Sequence, residues 1–404
     1  MAQGNWMSLL KDIEPIKTKD FLREKFKDYY KNAEITLPPR FTSREWGFLS
    51  WGGGIMNRHV KFRSTKEISD YLARVAPAHC YHSVAYYDDP GKNTMIEKQW
   101  QGADLIFDLD ADHLPEMEDV KKGKITFSKL MEFIREQTHR LVIDVLLGDF
   151  GLNEEDLLIT FSGGRGYHVH VRTPAVLTLP SGARRELADY MTGKGLNTNR
   201  ILDDAGYTIE VPVRGKGMER KNLGVEKLPD KNSKSWRGTI ARQIHKILDD
   251  LREHDPKELK KITKQLGIRI NTGDLKKDNE KLFNKLSKAS KKKLVRIALK
   301  ETAIYPDEPV TGDIHRLIRL PGSLHGGSGL RVTVLTSKKL ETFDPMKEAI
   351  AFGEGPVKVR SIVNHPVTMG DGIATLKPES VVELPEMAAV YFMARNWAHL
   401  ALET

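Results

Sequence analysis

The stretch Asp104-Leu-Ile-Phe-Asp-Leu-Asp-Ala-Asp112 constrains the fold more than any other part of the chain. Leu105, Ile106 and Phe107 form the apolar run of a buried strand, yet Asp108 and Asp110 follow at once with a single Leu between them. Side chains two apart on a strand point the same way. Two carboxylates therefore face one spot, where they repel each other unless protons or cations intervene. Hard oxygen ligands at that spacing suit Mg²⁺ or Mn²⁺. An acidic strand end open to water is the plain alternative. Asp112 shares the parity of the pair if the strand runs on, whereas Asp104 precedes its apolar core.

The 404 residues, 39% hydrophobic and 29% charged, are enough for two or three lobes around sizeable cores. No apolar run approaches a bilayer-spanning length, and the start Met-Ala-Gln-Gly-Asn-Trp lacks a secretory layout, so a cytoplasmic protein without a membrane partner is expected. The single Cys80 cannot pair within the chain and reads as a small buried residue. Charge is unevenly spread. Residues 211–300 hold 26 Lys and Arg against 11 Asp and Glu, an excess of +15, so the rest of the chain carries −6 of the +9 total. Such a segment reads as a surface for phosphate backbones, with a solvated helical face as its ordinary rival.

In chain order, residues 9–33 show helical spacing, and an aromatic run ending at Trp51 suits a strand. Gly52-Gly-Gly54 turns into a partner strand, Met56–Phe62, carrying Arg58. A helix is expected over Thr65–Ala76, capped by Ser64 or Thr65, then a β meander through His82–Tyr87 and Trp100 converging on Asp108. Residues 115–147 read as a helix covering the sheet. Leu157–Phe161 and Tyr167–Val171 read as a hairpin closed by Ser162-Gly-Gly-Arg-Gly166. Its glycines free backbone N–H groups to approach an anion, and Arg165 within it offers a planar fork of donors fitted to phosphate. His168 shares a strand face with His170. Residues 181–300 read as an inserted, Lys-rich helical lobe. A third dense stretch, Tyr305–Leu335, carries Asp307, Asp313, Arg316, Arg319, His325 and Arg331. Beyond Pro356 short strands and a helix over Met387–Leu402 are expected, without chemistry. Three separated stretches thus hold complementary equipment for nucleotidyl transfer: paired carboxylates, a glycine turn with Arg and His, and a carboxylate followed by Arg and His.

Phe107-Asp-Leu-Asp110, Ser162-Gly-Gly-Arg-Gly-Tyr-His168 and Leu317-Ile-Arg-Leu-Pro-Gly-Ser-Leu-His325 together resemble the catalytic small subunit of archaeal and eukaryotic DNA primase. The resemblance runs from about Arg44 to Val334. It implies an α+β fold, with a primase-type catalytic core of mixed and antiparallel sheets flanked by helices and an inserted basic helical lobe. The expected division is 1–180 for the first part of the core, 181–300 for the lobe and 301–404 for the completing part. The implied activity is synthesis of short RNA or DNA primers on single-stranded DNA by two-metal transfer from nucleoside triphosphates, in the company of a primase large subunit. Two rivals share these motifs: a repair polymerase of the same superfamily that extends existing 3′ ends, and a non-catalytic nucleic-acid-binding protein on the same scaffold.

By the same resemblance Asp108, Asp110 and a third carboxylate hold two Mg²⁺ or Mn²⁺ ions. The family places that third group eighteen residues before the motif histidine, which gives Asp307, with Asp313 as its competitor. Ser162, Arg165, His168, Arg319 and His325 are expected on the triphosphate, and Arg58 on nucleotide or template. His170 and Arg316 read as structural. Gly327 stands where many archaeal members carry a lysine, so one triphosphate contact is either missing or supplied by Arg331. The usual cysteine-built zinc site cannot form with one cysteine, and the spacing of His79, Cys80, His82 and His113 fits no zinc pattern, so no structural zinc is expected.

Overall fold

The computed structural model describes residues 2–113, 127–204, 207–213, 217–223, 226–364, 366–370 and 372–402. The chain forms two compact units. The first comprises residues 1–139, 153–186 and 306–404, the second residues 140–152 and 187–305.

The first unit is built on two four-stranded sheets. One contains β1 (Trp46–Leu49), β2 (Asn57–Val60) and β3 (His79–Ser83), with the late strand Leu317–Arg319 beside β3. β1 and β2 form the expected hairpin across Gly52–Gly54, where all three glycines take positive φ. Helix Thr65–Val75 follows, with Ser64 accepting the Glu67 amide as its N-cap. Phe26 and Tyr30 of helix Ala2–Asn32 pack into one core with Trp46, Phe48, Phe62, Ile68, Leu72, Leu320 and Leu324. A two-stranded pair, β4 (Ala85–Tyr87) with β5 (Trp100–Ala103), comes next.

The second sheet has the order Thr333–Leu335, β7 (Leu157–Phe161), β8 (Gly166–Val171), β6 (Leu105–Asp110). β6 is thus its edge strand, antiparallel to β8, and does not continue the β4–β5 pair. This corrects the meander expected before Asp108: Gly102, near the end of β5, takes φ 129°, the buried Asp104 lies between β5 and β6, and the chain changes sheets there. Phe107, Leu109, Phe161, Tyr167 and Val169 are buried, as are Leu130 and Ile134 of helix Phe127–Arg140. Residues 114–126, the start of the expected 115–147 helix, lie outside the described residues. Near the C-terminus Pro356–Ser361 pairs with Val381–Pro385 and with Ala398–Leu400. The last helix is Glu386–Ala394, shorter than the expected Met387–Leu402, because the chain turns at Asn396 (φ 57°) and returns as a strand.

The second unit packs helices Ser235–Asp250, Pro256–Leu266, Asn279–Lys285 and Lys288–Thr302 around Ile240, Ile244, Leu248, Leu259, Phe283, Leu294 and Val295. Apolar residues three and four apart give each helix one buried stripe and leave most lysines outside, Lys291 being a buried exception whose Nζ donates to the Glu226 carbonyl. An antiparallel hairpin, Tyr207–Val213 with Gly217–Leu223, also lies here, where the Lys-rich sequence suggested only helices. Among the described residues, no helix is long and apolar enough to cross a membrane.

Candidate active site

On β6 the period-two alternation turns Phe107 and Leu109 into the core and Asp108 and Asp110 to the other face. Register places Asp108 opposite His168 and Asp110 opposite Gly166. Residue 166 must be glycine. A Cβ there would stand 2.1 Å from the Leu109 carbonyl oxygen, so only a bare backbone lets the edge strand approach the turn. Gly163 has φ 78°, and a Cβ on it would lie 2.7 Å from the His325 Cβ. Ser162 Oγ accepts the amides of Gly164 and Gly166, each at 3.3 Å, and closes the loop. Ser328 Oγ donates to the Gly163 carbonyl at 2.5 Å and ties this turn to the one that carries His325.

These elements surround a cavity of about 400 Å³. It is lined by Asp108 and Asp110, by Ser162, Arg165, His168, Arg319 and His325, and by Tyr81, Arg316, Leu317, Ile318 and Arg395. Asp307 stands next to it. Its amide donates to the Asp108 carbonyl at 2.8 Å, and its carboxylate caps the short helix Glu308–Gly312 by accepting the Val310 amide. Asp313 instead spends an oxygen on the His315 amide at 2.8 Å.

The electrostatics are uneven. Burial pushes the Asp108 carboxyl up to about 7, Asp110 and Asp307 push in the same direction, and Arg316 and Arg319 oppose them. His168 Nε2 lies 3.6 Å from Asp108 Oδ1, but burial, then Arg319 and Arg316, lower the imidazole to about 3. His168 is therefore neutral at physiological pH and leaves the carboxylates uncompensated. His325 is likewise held well below its ordinary value by burial, then Arg319 and His79. Its Nδ1 accepts the Gly327 amide at 3.1 Å, which puts the ring hydrogen on Nε2, the nitrogen beside Gly164 in the cavity wall. Arg319 Nη1 donates to His79 Nδ1 at 2.8 Å, and its guanidinium lies 5.2 Å from the Tyr81 ring centre. Arg165 pairs with Asp112 at the rim.

Not every expected residue comes here. Arg58 lies outside the lining, its Nε donating at 2.9 Å to the fully buried Glu45, which also pairs with Lys98. Arg331 donates to the Glu348 carbonyl and does not line the cavity. Conversely, Arg316, read as structural, lines the cavity, and Arg395 reaches it from the C-cap of the last helix, a region read as without chemistry. Tyr81 carried no expectation, and His79 was weighed only as a zinc ligand. Their signal is strand pairing: Arg319 sits opposite Tyr81 in register, 238 positions away in sequence, which no local pattern reveals. His170 is buried, with neither ring nitrogen hydrogen-bonded among the described residues.

The cavity thus gathers two carboxylates and four arginines beside a glycine turn. The family model described as DNA primase small subunit matches residues 107–337. The chain is 41% identical over 399 residues to the DNA primase small subunit PriS of Methanococcoides burtonii, covering 95% of this chain and 98% of that protein. It is also 41% identical over 410 residues to PriS of Methanothrix thermoacetophila, covering 95% and 99%, and 37% identical over 405 residues to PriS of Halobacterium salinarum, covering 96% and 99%. The chain belongs to the DNA primase small subunit family.

Proposed function

We propose that the cavity binds a nucleoside triphosphate and that the protein synthesises primers on single-stranded DNA for replication, as a nucleotidyltransferase working with a primase large subunit. The observation that carries this reading is the convergence, from four distant stretches, of facing carboxylates and four arginines on one cavity of nucleotide size. Whole-length identity to primase small subunits, together with the intact carboxylate pair, disfavours the two rivals, a repair polymerase and a non-catalytic binder.

Among the described residues, no group of three or more His, Cys, Asp or Glu is drawn together tightly enough to hold a metal ion. The donor chemistry nevertheless fits a hard divalent cation, since the groups are all carboxylates and Asp108 is burdened by its two neighbours. Asp108, Asp110 and Asp307 would hold the ions, Mg²⁺ or Mn²⁺, whose chemistry when bound is activation of a 3′-hydroxyl and neutralisation of charge on the reacting phosphate. The protein's own groups act on the remainder of the substrate. Arg165, Arg316, Arg319 and Arg395 offset the triphosphate charge and hold it in line. The His325 Nε2–H donates to a phosphate oxygen without adding charge, and the Ser162 turn holds its backbone amides in place. Neutral His168 fills the floor beside Asp108 without competing as a cation.

The second unit supplies a template surface in this reading. A concavity of about 850 Å³ there is lined by Lys260, Lys264, Arg269 and Lys285, of which Lys260, Lys264 and Arg269 make no ion pair among the described residues. Cations without partners suit phosphates.

The test is primer synthesis on single-stranded DNA with no pre-existing 3′ end, with and without the large subunit. Wild-type protein is expected to make primers and Asp108→Ala with Asp110→Ala to make none. Retention of synthesis by that double variant would overturn the assignment.

A further inference from the structure

β8 separates two cavities. Its side chains alternate, so that His168 faces Asp108 while Tyr167 turns to the opposite side of the sheet. On that side lies a second cavity of about 420 Å³, within the first unit, whose lining shares Gly164 and Arg395 with the catalytic one. Its floor is aromatic. The Phe161 ring centre lies 5.7 Å from that of Tyr167 and 5.6 Å from that of Phe343, and the thioethers of Met131 and Met346 complete an adaptable apolar wall. The other end is cationic. Arg135, Lys347 and Arg395 line it against Glu132 and Asp344, and Glu132 is already engaged by Lys129 from outside the cavity. The Tyr167 hydroxyl is enclosed and has no hydrogen-bond partner among the described residues, and Arg135 and Asp344 are the charges that act on it, which places it toward the charged end. An enclosed hydroxyl without a partner is costly, and a ligand that bonds it recovers that cost.

We propose that this second cavity binds a small aromatic anion, a planar ring bearing a carboxylate or phosphate, with the ring on Phe161 and Phe343, a polar ring edge on the Tyr167 hydroxyl and the charge met by Arg135 and Arg395. Sharing of Arg395 couples the two cavities, a step that rests on the first being the nucleotide site proposed above. An anion that draws this guanidinium to its own side of the sheet removes one cation from the triphosphate, so nucleotide binding weakens while the carboxylates are untouched.

The experiment follows the fluorescence of anilinonaphthalene sulfonate, an aromatic anion, on addition of the full-length protein. Wild type is expected to bind a single equivalent, and Tyr167→Phe, which keeps the ring, to bind about three- to tenfold more weakly, the worth of one net hydrogen bond. Thr342→Trp and Met346→Trp fill the cavity from its exposed and half-buried sides. Both are expected to lose binding and to incorporate nucleotide as wild type does. Displacement of the probe by para-hydroxybenzoate assigns the site to aromatic acids, and displacement by adenosine monophosphate assigns it to nucleotides. Displacement by neither, or binding unchanged in both tryptophan variants, overturns the proposal. The displacing anion is further expected to raise the nucleotide KM severalfold at constant kcat in wild type and not in the tryptophan variants, and an unaltered KM overturns the coupling. Failure of the proposed function would show differently, as absence of nucleotide incorporation by the wild-type protein while the anion still binds.

Discussion

Asp104 and Asp108 lie four residues apart on one run of chain, and their surroundings are opposite. Asp104 is fully buried and fully answered: Arg44 Nη2 donates to it at 2.8 Å, the Tyr86 hydroxyl at 2.7 Å and Arg172 Nε at 3.3 Å. Asp108, whose side chain is 19% exposed, faces two further carboxylates and an imidazole that cannot take a proton at neutral pH. A carboxylate surrounded by donors serves the fold. A carboxylate held beside others of its kind stores a demand for positive charge, which is where function concentrates.

Substitutions should separate the two sharply. Asp108→Ala is expected to reduce nucleotide incorporation at least a thousandfold while leaving unfolding free energy within about 1 kcal/mol of wild type, since a repelled buried charge is removed. Asp104→Ala should strand Arg44 and Arg172 in the core and cost about 3–5 kcal/mol in denaturant unfolding. Equal destabilisation by both would break the comparison. Gly166→Ala comes next. Its Cβ meets backbone of β6, so both stability and incorporation should fall, and an unaffected melting temperature would mean that the edge strand is not seated as described. The smallest effect concerns the second unit. Lys260→Glu with Lys264→Glu is expected to weaken single-stranded DNA binding and flatten its salt dependence by about one to two in log–log slope, while leaving nucleotide affinity alone. An unaltered slope would remove that concavity from the template path.

Local patterns made much of this legible. Period two put Asp108 and Asp110 on one face, and the clustered glycines around Arg165 marked a turn that a side chain at 166 would block. What the sequence hid was pairing between distant strands. β6 joins β8, 60 residues on, and not β5, which precedes it. Tyr81 meets Arg319 because Leu317–Arg319 returns to β3 after the whole second unit has intervened. Arg58 and Arg395 exchanged expected places for similar reasons. Buried Glu45 captures the first, while the second reaches the cavity only because the last helix stops at Ala394. The hairpin Tyr207–Leu223 escaped notice because its lysines and glycines mask the strand alternation.

The raised Asp108 carboxyl has a sign that can be checked. Its folded value, about 7, lies above the ordinary 3.8, so the folded state holds this proton more tightly than the unfolded chain does. The stability it contributes is fully present below about pH 4 and is lost as pH rises through 7. A divalent cation must displace the same proton. The most direct measurement is therefore Mn²⁺ affinity of the wild-type protein, by titration between pH 5.5 and 8.5. The account expects affinity to rise about tenfold per pH unit up to 7 and then level off, with the rise absent in Asp108→Asn. A flat profile in the wild type, or the same rise in Asp108→Asn, would contradict it.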